Sequence, residues 1–596
     1  MHLASRMQLD AAAPFVLLDD AAPDGAGARL YRAPVRVIEA RTAAEVMPAL
    51  EAVRAGQRAG LHAAGFLAYE AGNGIEPRLA IAGMPDEPLV WFGLFARFET
   101  IARGDLPLLL PDPAAAWAAA PAPQIGRETY DGQFAHVAEL IAAGDIYQAN
   151  LTFPTEVRFV GDPLALYARL RGQAQARYGA LIATGRETLL SLSPELFFRL
   201  DGGRLLARPM KGTATRAATP DADRAAIARL ADDAKQRAEN LMIVDLLRND
   251  LSRVAATGSV ETPALFRVET YPTVHQMVSD ITAEIAPARD AIDVITALFP
   301  CGSITGAPKI RASEVIAEIE GQPRGIYTGA IGRIDADGDA IFNVAIRTLA
   351  IREPAVARFG LGSGVVADSR AGEEWAECLA KGAFVAAGQG PFDLIETMAF
   401  DPDEGIPLLE RHLARMKASA LQFGYPFDRH ATRNELQAAT FRLRTARRIR
   451  LLLAPSGAVA IQVSAMPATP PGPVKVALVR HPADPRDFRL AHKTSRRTFY
   501  NDARAAAGTF DIAMIDRDGF MTEGSFTNLF VRRDDMLITP PLSRGLLPGV
   551  LRAELIESGR AVEGDLTPGD LTDGFFIGNA LRGLIPAVAV AKGQRL

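Results

Sequence analysis

The chain of 596 residues has only two cysteines, Cys301 and Cys378. They cannot build a disulfide framework, and they lack the paired spacing of a zinc site. Neither stands in the G-x-C-x-G setting of a glutaminase nucleophile. No apolar run approaches the roughly 18 residues that a spanning helix needs. The opening MHLASRMQLD lacks the apolar core of a secretory leader, so a cytoplasmic protein is expected. An excess of one charge is missing as well. The formal net charge is −5, which gives no footing for nucleic acid or an anionic membrane as partner. No internal repeat is visible. What is present is ordinary for a globular protein: 48% hydrophobic and 23% charged residues, which argues against a disordered or fibrous chain. At about 150 residues per domain, the length allows roughly four units or two large ones.

The first hundred residues alternate strand-like runs, FVLLDD at 15–20, AGFLAYEA around Tyr69 and LVWFGLFARF around Trp91, with glycine-bearing turns. DPAAAWAAAPAP at 112–123 has no periodic apolar face and reads as a connector. A helix is expected from about Glu128, then a strand in IYQANLTFPTEVRFV, with further strands at 188–200 and 204–208. ENLMIVDLLRND at 239–250 has helical spacing. AIFNVAIRTLAI at 340–351 reads as one strand, with Asn343, Ala345 and Arg347 on one face and Phe342, Val344 and Ile346 on the other. GAFVAAGQGP after Lys381 and MPATPPGP at 466–473 read as breaks. The expected organisation is 1–111 and 125–385 for the first half, then lobes at 391–466 and 473–596.

GSGVVADSRAGEEWAECLAK at 362–381 reads as a glycine-rich turn feeding a short helix, on which Glu374, Glu377 and Lys381 stack on one face. Two carboxylates there suit a hard cation such as magnesium, with the amides of Gly362, Ser363 and Gly364 open to a substrate carboxylate. The same residues also suit a solvent-facing helix with an ordinary Glu377–Lys381 pair, and both readings stand at this level. CGSITGAPK fails as a phosphate loop, because Lys309 does not follow the glycine and no Ser or Thr follows the lysine.

SLSPELFFRL, RPMKGTATR, AENLMIVDLLRND, YPTVHQMVSD and CGSITGAPKIRASEVI precede that stretch in order. Together they resemble the chorismate-utilising enzymes, anthranilate synthase and aminodeoxychorismate synthase component I being nearest, over roughly residues 10–385. The resemblance implies Mg2+ held by Glu239 and Glu377 with Glu374 beside it, and a chorismate site contacted by Gln148, Thr213, His275, Tyr327, Arg347, Gly362, Ser363, Gly364 and Lys381. Glu195 would protonate the departing hydroxyl, which needs a raised pKa. Lys211 narrows the choice. Anthranilate synthases carry a small residue in the corresponding PIAGT-like motif, whereas the aminodeoxychorismate enzymes carry a lysine that attacks the ring. Gln148 stands where the isochorismate branch has a lysine that activates water. A separate glutamine amidotransferase subunit would supply ammonia.

LLERHLARMKASALQFG, LAHKTSRRTFYN, GFMTEGSFTNLF, LLPGVLR and FFIGNALRGLIP resemble class IV pyridoxal-phosphate enzymes. That likeness implies pyridoxal 5'-phosphate carried by Lys493, whose pKa Arg496 and Arg497 would help depress. Glu523 would pair with the pyridine nitrogen, and Arg415 with the amides of Gly549 and Val550 would hold the phosphate. Asn528 and Asn579 would stand at the pocket wall. The opening GQGPFDLIETM departs from the usual YGDG-like start, which leaves open the substrate side of this pocket, Thr397 included.

The expected fold is α/β: stacked antiparallel sheets with flanking helices, then a two-lobed class IV domain, with a homodimer by analogy. The two chemistries form consecutive steps from chorismate to para-aminobenzoate and pyruvate. The competing readings are an anthranilate-type synthase fused to a branched-chain or D-amino-acid aminotransferase, or one half acting as a silent docking module.

Overall fold

The computed structural model describes residues 9–79, 81–271, 274–353 and 355–590. The residues read for a leader, 1–8, and the end of the last expected lobe, 591–596, lie outside these. The chain forms two compact units. The first takes in residues up to 110 with 120–158 and 167–388; the second comprises 111–119, 159–166 and everything from 389 onward. Among the described residues, no helix is long and apolar enough to cross a membrane.

Two antiparallel sheets dominate the first unit. In one, the strand Gln148–Val160 pairs with Val356–Val365, followed in order by Thr348–Glu353, Thr188–Ser193, Tyr178–Ala183, Phe15–Asp20 and Gly27–Arg32. In the other, Met210–Thr215 is followed by Val274–Glu284, Arg204–Arg208, Leu196–Asp201, Ala340–Val344, Ala330–Ile334 and His62–Leu67. Phe92, Phe198, Phe342 and Val344 lie in the main core with the buried face of the helix Ala43–Arg58. That helix starts at a capping box, in which Thr42 and Glu45 satisfy each other's backbone donors.

The expected single strand over 340–351 is in fact two strands in different sheets. Ala340–Val344 pairs with Leu196–Asp201, and Thr348–Glu353 pairs with Thr188–Ser193. Sheet corners form where strands change sheets at a bend, and here Arg347 makes the bend with a left-handed φ of 51°. Arg347 therefore does not continue the face of Asn343 and Ala345. A second crossing lies against the first, between Ser193 and Leu196, and carries Glu195. Ser193 Oγ donates to the Val344 carbonyl at 2.6 Å, the Val344 amide to the Glu195 carbonyl at 3.1 Å, and the Leu192 amide to the Arg347 carbonyl at 3.0 Å.

The expected glycine-rich turn is also a strand. Gly362, Ser363 and Gly364 pair with Thr152, Leu151 and Asn150. Lys211 sits within Met210–Thr215. The glycines mark close approach rather than chain reversal: a Cβ on Gly362 would fall 2.6 Å from Thr152 Cγ2. The helix that follows is Ala371–Gly382.

In the second unit, Leu394–Phe400, Arg447–Leu453 and Val459–Ala465 form a three-stranded antiparallel sheet. The helix Leu409–Phe423 covers it through Leu413, Met416, Ala420 and Phe423. A mixed sheet follows, in which Val474–Arg480 runs parallel to both Asp511–Ile515 and Gly583–Val590. Parallel pairing puts the chain's crossovers on the faces of this sheet, which is where the helix Thr498–Ala507 lies between Val474–Arg480 and Asp511–Ile515.

Candidate functional site

The crossings of the first unit bring Glu195 to a buried position, 5% exposed, where its carboxyl accepts a 2.7 Å hydrogen bond from Ser303 Oγ. Burial pushes its pKa up to about 7, against the pull of Ser303, Lys211 and Lys381. A carboxyl group in that range can hold a proton near neutrality and give it up. The Lys211 ammonium is disfavoured by burial and by the charge of Lys381, while Glu239, Glu195 and Glu377 oppose the shift. A Cβ on Gly364 would meet Lys211 Nζ at 2.8 Å and Gln148 Nε2 at 2.9 Å, so the bare glycine leaves room for both side chains. The amide nitrogen and oxygen of Gln148 are buried, with no partner among the described residues. Buried polar atoms are normally paired, and this pair faces the lysine with donor and acceptor both unused.

Lys381 Nζ donates to the Gly362 carbonyl at 3.0 Å and pairs with Glu377 at 2.8 Å. Burial works against ionisation of Glu377, but Lys381 brings its carboxyl below the usual value. Glu239, on the helix Ala234–Ser252, is raised by burial and further by Glu374 and Glu377, with Lys211 and Lys235 opposing. Glu374 accepts from Ser369 Oγ at 2.7 Å. Among the described residues, no three His, Cys, Asp or Glu side chains are gathered into a metal-holding cluster. Even so, the charges of Glu374 and Glu377 weigh against ionisation of Glu239, and a hard dication would relieve that. On donor chemistry the set fits magnesium.

Three other expected contacts are engaged elsewhere, and a fourth, Arg347, is unpaired among the described residues. His275 is fully buried, with Nε2 2.8 Å from Asp223 and Nδ1 3.0 Å from Thr270 Oγ1, so neither ring nitrogen is free. Thr213 bonds Gln276 on the neighbouring strand at 2.5 Å. Tyr327 packs its ring over Gly360 and lines a separate small cavity with Thr152, Arg324 and Glu320. Arg347 has no hydrogen-bond or ion-pair partner among the described residues; its guanidinium lies 6.0 Å from the Phe384 ring, and burial lowers its pKa. Both cysteines are free and buried.

The second unit holds a cavity of about 420 Å³ lined by Lys493, Glu523, Arg415, Thr397, Asn528 and Gly549 among others. Lys493 is pushed down to about 7 by burial and then by Arg415; Glu396 opposes, and Arg497 and Arg450 add to the shift. Arg496, expected to contribute, instead donates to the Gly390 carbonyl and lies over the Phe392 ring. Glu523 is raised to about 7 by burial, with one oxygen receiving the Tyr500 hydroxyl and the other the Leu547 amide at 3.1 Å. Arg415 grips Glu396 through Nε at 2.8 Å and Nη2 at 2.6 Å, and Nη1 donates to the Pro548 carbonyl at 3.0 Å. His412 Nδ1 completes the cluster 2.6 Å from Glu396. Burial opposes the charge on Glu396, yet Arg415 and His412 bring its pKa down to about 2. Gly549 caps the helix Val550–Glu557, and any Cβ there would run into Asn528 Oδ1. Asn528 and Asn579 fix loops by donating to the Leu547 and Phe526 carbonyls, each at 3.1 Å. A lysine with a large neutral fraction near pH 7, a buried carboxylate and an open helix start are the groups pyridoxal phosphate requires, so the residues fit it.

The sequence motifs contain the missed residues without marking them. Ser303 lies in CGSITG, Glu396 in LIETM, His412 in ERHLARM and Tyr500 in RRTFYN. Strand alternation in RRIRLLL is a readable signal for Arg450.

Residues 13–387 match the family of chorismate binding enzymes, and residues 393–590 match amino-transferase class IV. Aminodeoxychorismate synthase component 1 of Escherichia coli (strain K12) is 42% identical over 255 residues, covering 43% of this chain and 56% of that protein. Anthranilate synthase component 1 of Methanothermobacter thermautotrophicus is 38% identical over 252 residues, covering 42% of this chain and 54% of that protein. The chain thus spans little more than half the length of these relatives. The crystal structure of anthranilate synthase component I from Streptococcus pneumoniae TIGR4 shares the fold, with a TM-score of 0.52 at 23% identity over 63% of this chain and 92% of that one.

Proposed function

The chain belongs to the chorismate binding enzymes, and from that premise we propose that it converts chorismate and ammonia to aminodeoxychorismate in its first unit and releases para-aminobenzoate and pyruvate in its second. The observation that carries the reading is the meeting of Lys211, Gln148 and Gly364 close to the electrically coupled Glu195. Overall identity does not separate the para from the ortho product, since relatives of both kinds match to similar degrees. Lys211 does.

In the proposed first step, the neutral Lys211 amine attacks the ring carbon beside the carboxylate-bearing carbon, and the ring double bonds shift as the hydroxyl leaves. Glu195 gives its proton to that hydroxyl, which departs as water. Ammonia then adds at the para carbon and expels the Lys211 amine. Glu239 and Glu377, with Glu374 beside them, would hold magnesium, which neutralises a substrate carboxylate and fixes the ring. A separate glutaminase subunit supplies the ammonia.

In the second unit, Lys493 would carry pyridoxal phosphate, whose ring when bound acts as an electron sink. Glu523 would keep the pyridine nitrogen protonated, with Tyr500 and the Leu547 amide fixing the carboxylate. The amides at Gly549 and Val550 would hold the phosphate. Lys493, with a large neutral fraction near pH 7, would take the ring proton beside the new amino group as pyruvate leaves.

The test is incubation of the full chain with chorismate, magnesium, pyridoxal phosphate and ammonium, with products identified by chromatography and mass. Para-aminobenzoate plus pyruvate is expected. Lys211→Ala should stop the intermediate from forming, and Lys493→Ala should let it accumulate. Anthranilate as the main product overturns the para reading, and accumulation of the intermediate in the unmutated protein overturns the lyase reading.

A further inference from the structure

The second cavity is charged far beyond what the cofactor uses. Glu523 is the only acidic side chain among its lining residues, against six arginines and Lys493. Three of the arginines are already engaged. Arg415 is spent on Glu396 and the Pro548 carbonyl. Arg497 donates to the Ser525 carbonyl and lies 4.7 Å over the Tyr500 ring. Arg504 lies 5.3 Å over Phe526. Arg448, Arg450 and Arg582 complete the six, Arg582 lying 5.6 Å over the Phe510 ring.

The sequence RRIRLLL explains how two of these reach the cavity. On the strand Arg447–Leu453, alternation buries Ile449, Leu451 and Leu453 in the core and turns Arg448 and Arg450 to the opposite face. Arg450 stands across from Thr397, which also lines the cavity, and Arg448 across from Ala399. Arg450 Nε is buried without a partner among the described residues. A buried donor left unpaired is costly, so Arg450 Nε calls for an acceptor such as a carboxylate. Arg448 Nε is steadied by Ser464 Oγ at 3.0 Å, and Arg582 Nη1 by the Ala468 carbonyl at 3.0 Å. Burial, and then the nearby charge of Arg448, lowers the Arg582 pKa. Two cationic stations result, Arg450 next to Lys493 and the Arg448–Arg582 pair beyond it. Residues two apart on a strand lie roughly 7 Å from each other, too far to serve one carboxylate and suited to two.

We propose that this cavity selects an amine bearing two separated carboxylates, one taken by Arg450 and the other by Arg448 with Arg582. The proposal rests on the lyase reading and deepens it, since aminodeoxychorismate carries a ring carboxylate and an enolpyruvyl carboxylate. A monocarboxylate amino acid with an apolar side chain would leave the second station facing hydrocarbon, which disfavours the branched-chain substrates of other class IV enzymes.

Two measurements on the full chain loaded with pyridoxal phosphate test it. In steady-state turnover of purified aminodeoxychorismate, Arg450→Met and Arg448→Met should each raise KM by about tenfold or more with a smaller change in kcat. Arg450→Lys, which keeps charge but loses the fork, should recover part of the loss. Synthase turnover in the first unit and an unchanged cofactor absorption band show that the variants are folded. In the second measurement, benzene-1,3-dicarboxylate and benzoate are titrated while the cofactor band is followed, a signal blind to the chorismate site. The dicarboxylate should bind about tenfold more tightly or better, and the preference should vanish in the Arg448→Met, Arg450→Met double variant. Unchanged KM values, or equal affinity for the two probes in the unmutated protein, overturn the proposal. If the unmutated protein leaves aminodeoxychorismate intact, the lyase reading falls, and the titration alone decides the two-carboxylate selectivity.

Discussion

Lys211 and Lys493 are both half-buried lysines with depressed pKa values, yet their surroundings are opposite in kind. Around Lys211, three carboxylates restrain the shift and one cation promotes it; around Lys493, three arginines promote it and one carboxylate restrains it. The first site is unfinished without a ligand, with idle amide atoms on Gln148 and a Glu239 whose ionisation Glu374 and Glu377 oppose. The second has closed part of its electrostatics internally, through Glu396, Arg415 and His412. Desolvation can therefore weaken a lysine's hold on its proton in either field. The field decides what else the site must bind: a cation and a polar ring in one case, anions in the other.

Breaking the closed cluster should have the largest effect. Glu396→Ala strands Arg415 in a buried position and should cost about 3–5 kcal/mol of stability in the second unit, read as an early unfolding transition in calorimetry. The first unit should melt unchanged, and a shift of both transitions would contradict the contrast. Next, Gly364→Ala should displace Lys211 and Gln148 and cut aminodeoxychorismate formation roughly 100-fold, the scale of a misplacement of about 1 Å. Circular dichroism should remain native and lyase turnover intact.

A smaller effect concerns pH. The Glu195 carboxyl is raised to about 7, so it holds its proton below that value and loses it above. The synthase rate should accordingly show a high-pH limb that falls about tenfold per pH unit above roughly 7. Glu195→Gln should lower the rate and abolish that limb. Smallest of all, Ser303→Ala removes the hydrogen bond that holds the Glu195 pKa down, and should move the limb upward by a few tenths of a pH unit with little change in the plateau rate. A downward movement would show that Ser303 does not donate to the ionised carboxylate.

Much of this was legible in the sequence. Alternation located most strands, helical spacing gave 239–250 of the helix Ala234–Ser252, and ordered motifs pointed to the two groups of residues. What was not legible depends on partners distant in sequence. The glycines at 362–364 look like a turn, because the residues that need the space, Thr152, Lys211 and Gln148, are far away in the chain. Arg347 looks like one more residue of a strand, because the apolar alternation continues on both sides of a sheet crossing. His275 stands beside promising motifs, while the Asp223 that occupies it lies 52 residues earlier. Arg496 adjoins Lys493 in sequence, but the cations that act on the lysine come from Arg415, Arg450 and Arg497.

The paired crossings have a mechanical consequence. Glu195 and Arg347 ride on two chain segments that are hydrogen-bonded to each other as they pass between the sheets. Behind them, Phe198 and Phe342 stack at 5.3 Å on the adjoining strands. The spacing between proton donor and guanidinium is thus gauged by the core, like the gap of a caliper whose jaws are the two segments. A volume change at Phe198 or Phe342 would reset that gap without touching either functional side chain, so two residues that meet no substrate calibrate the instrument.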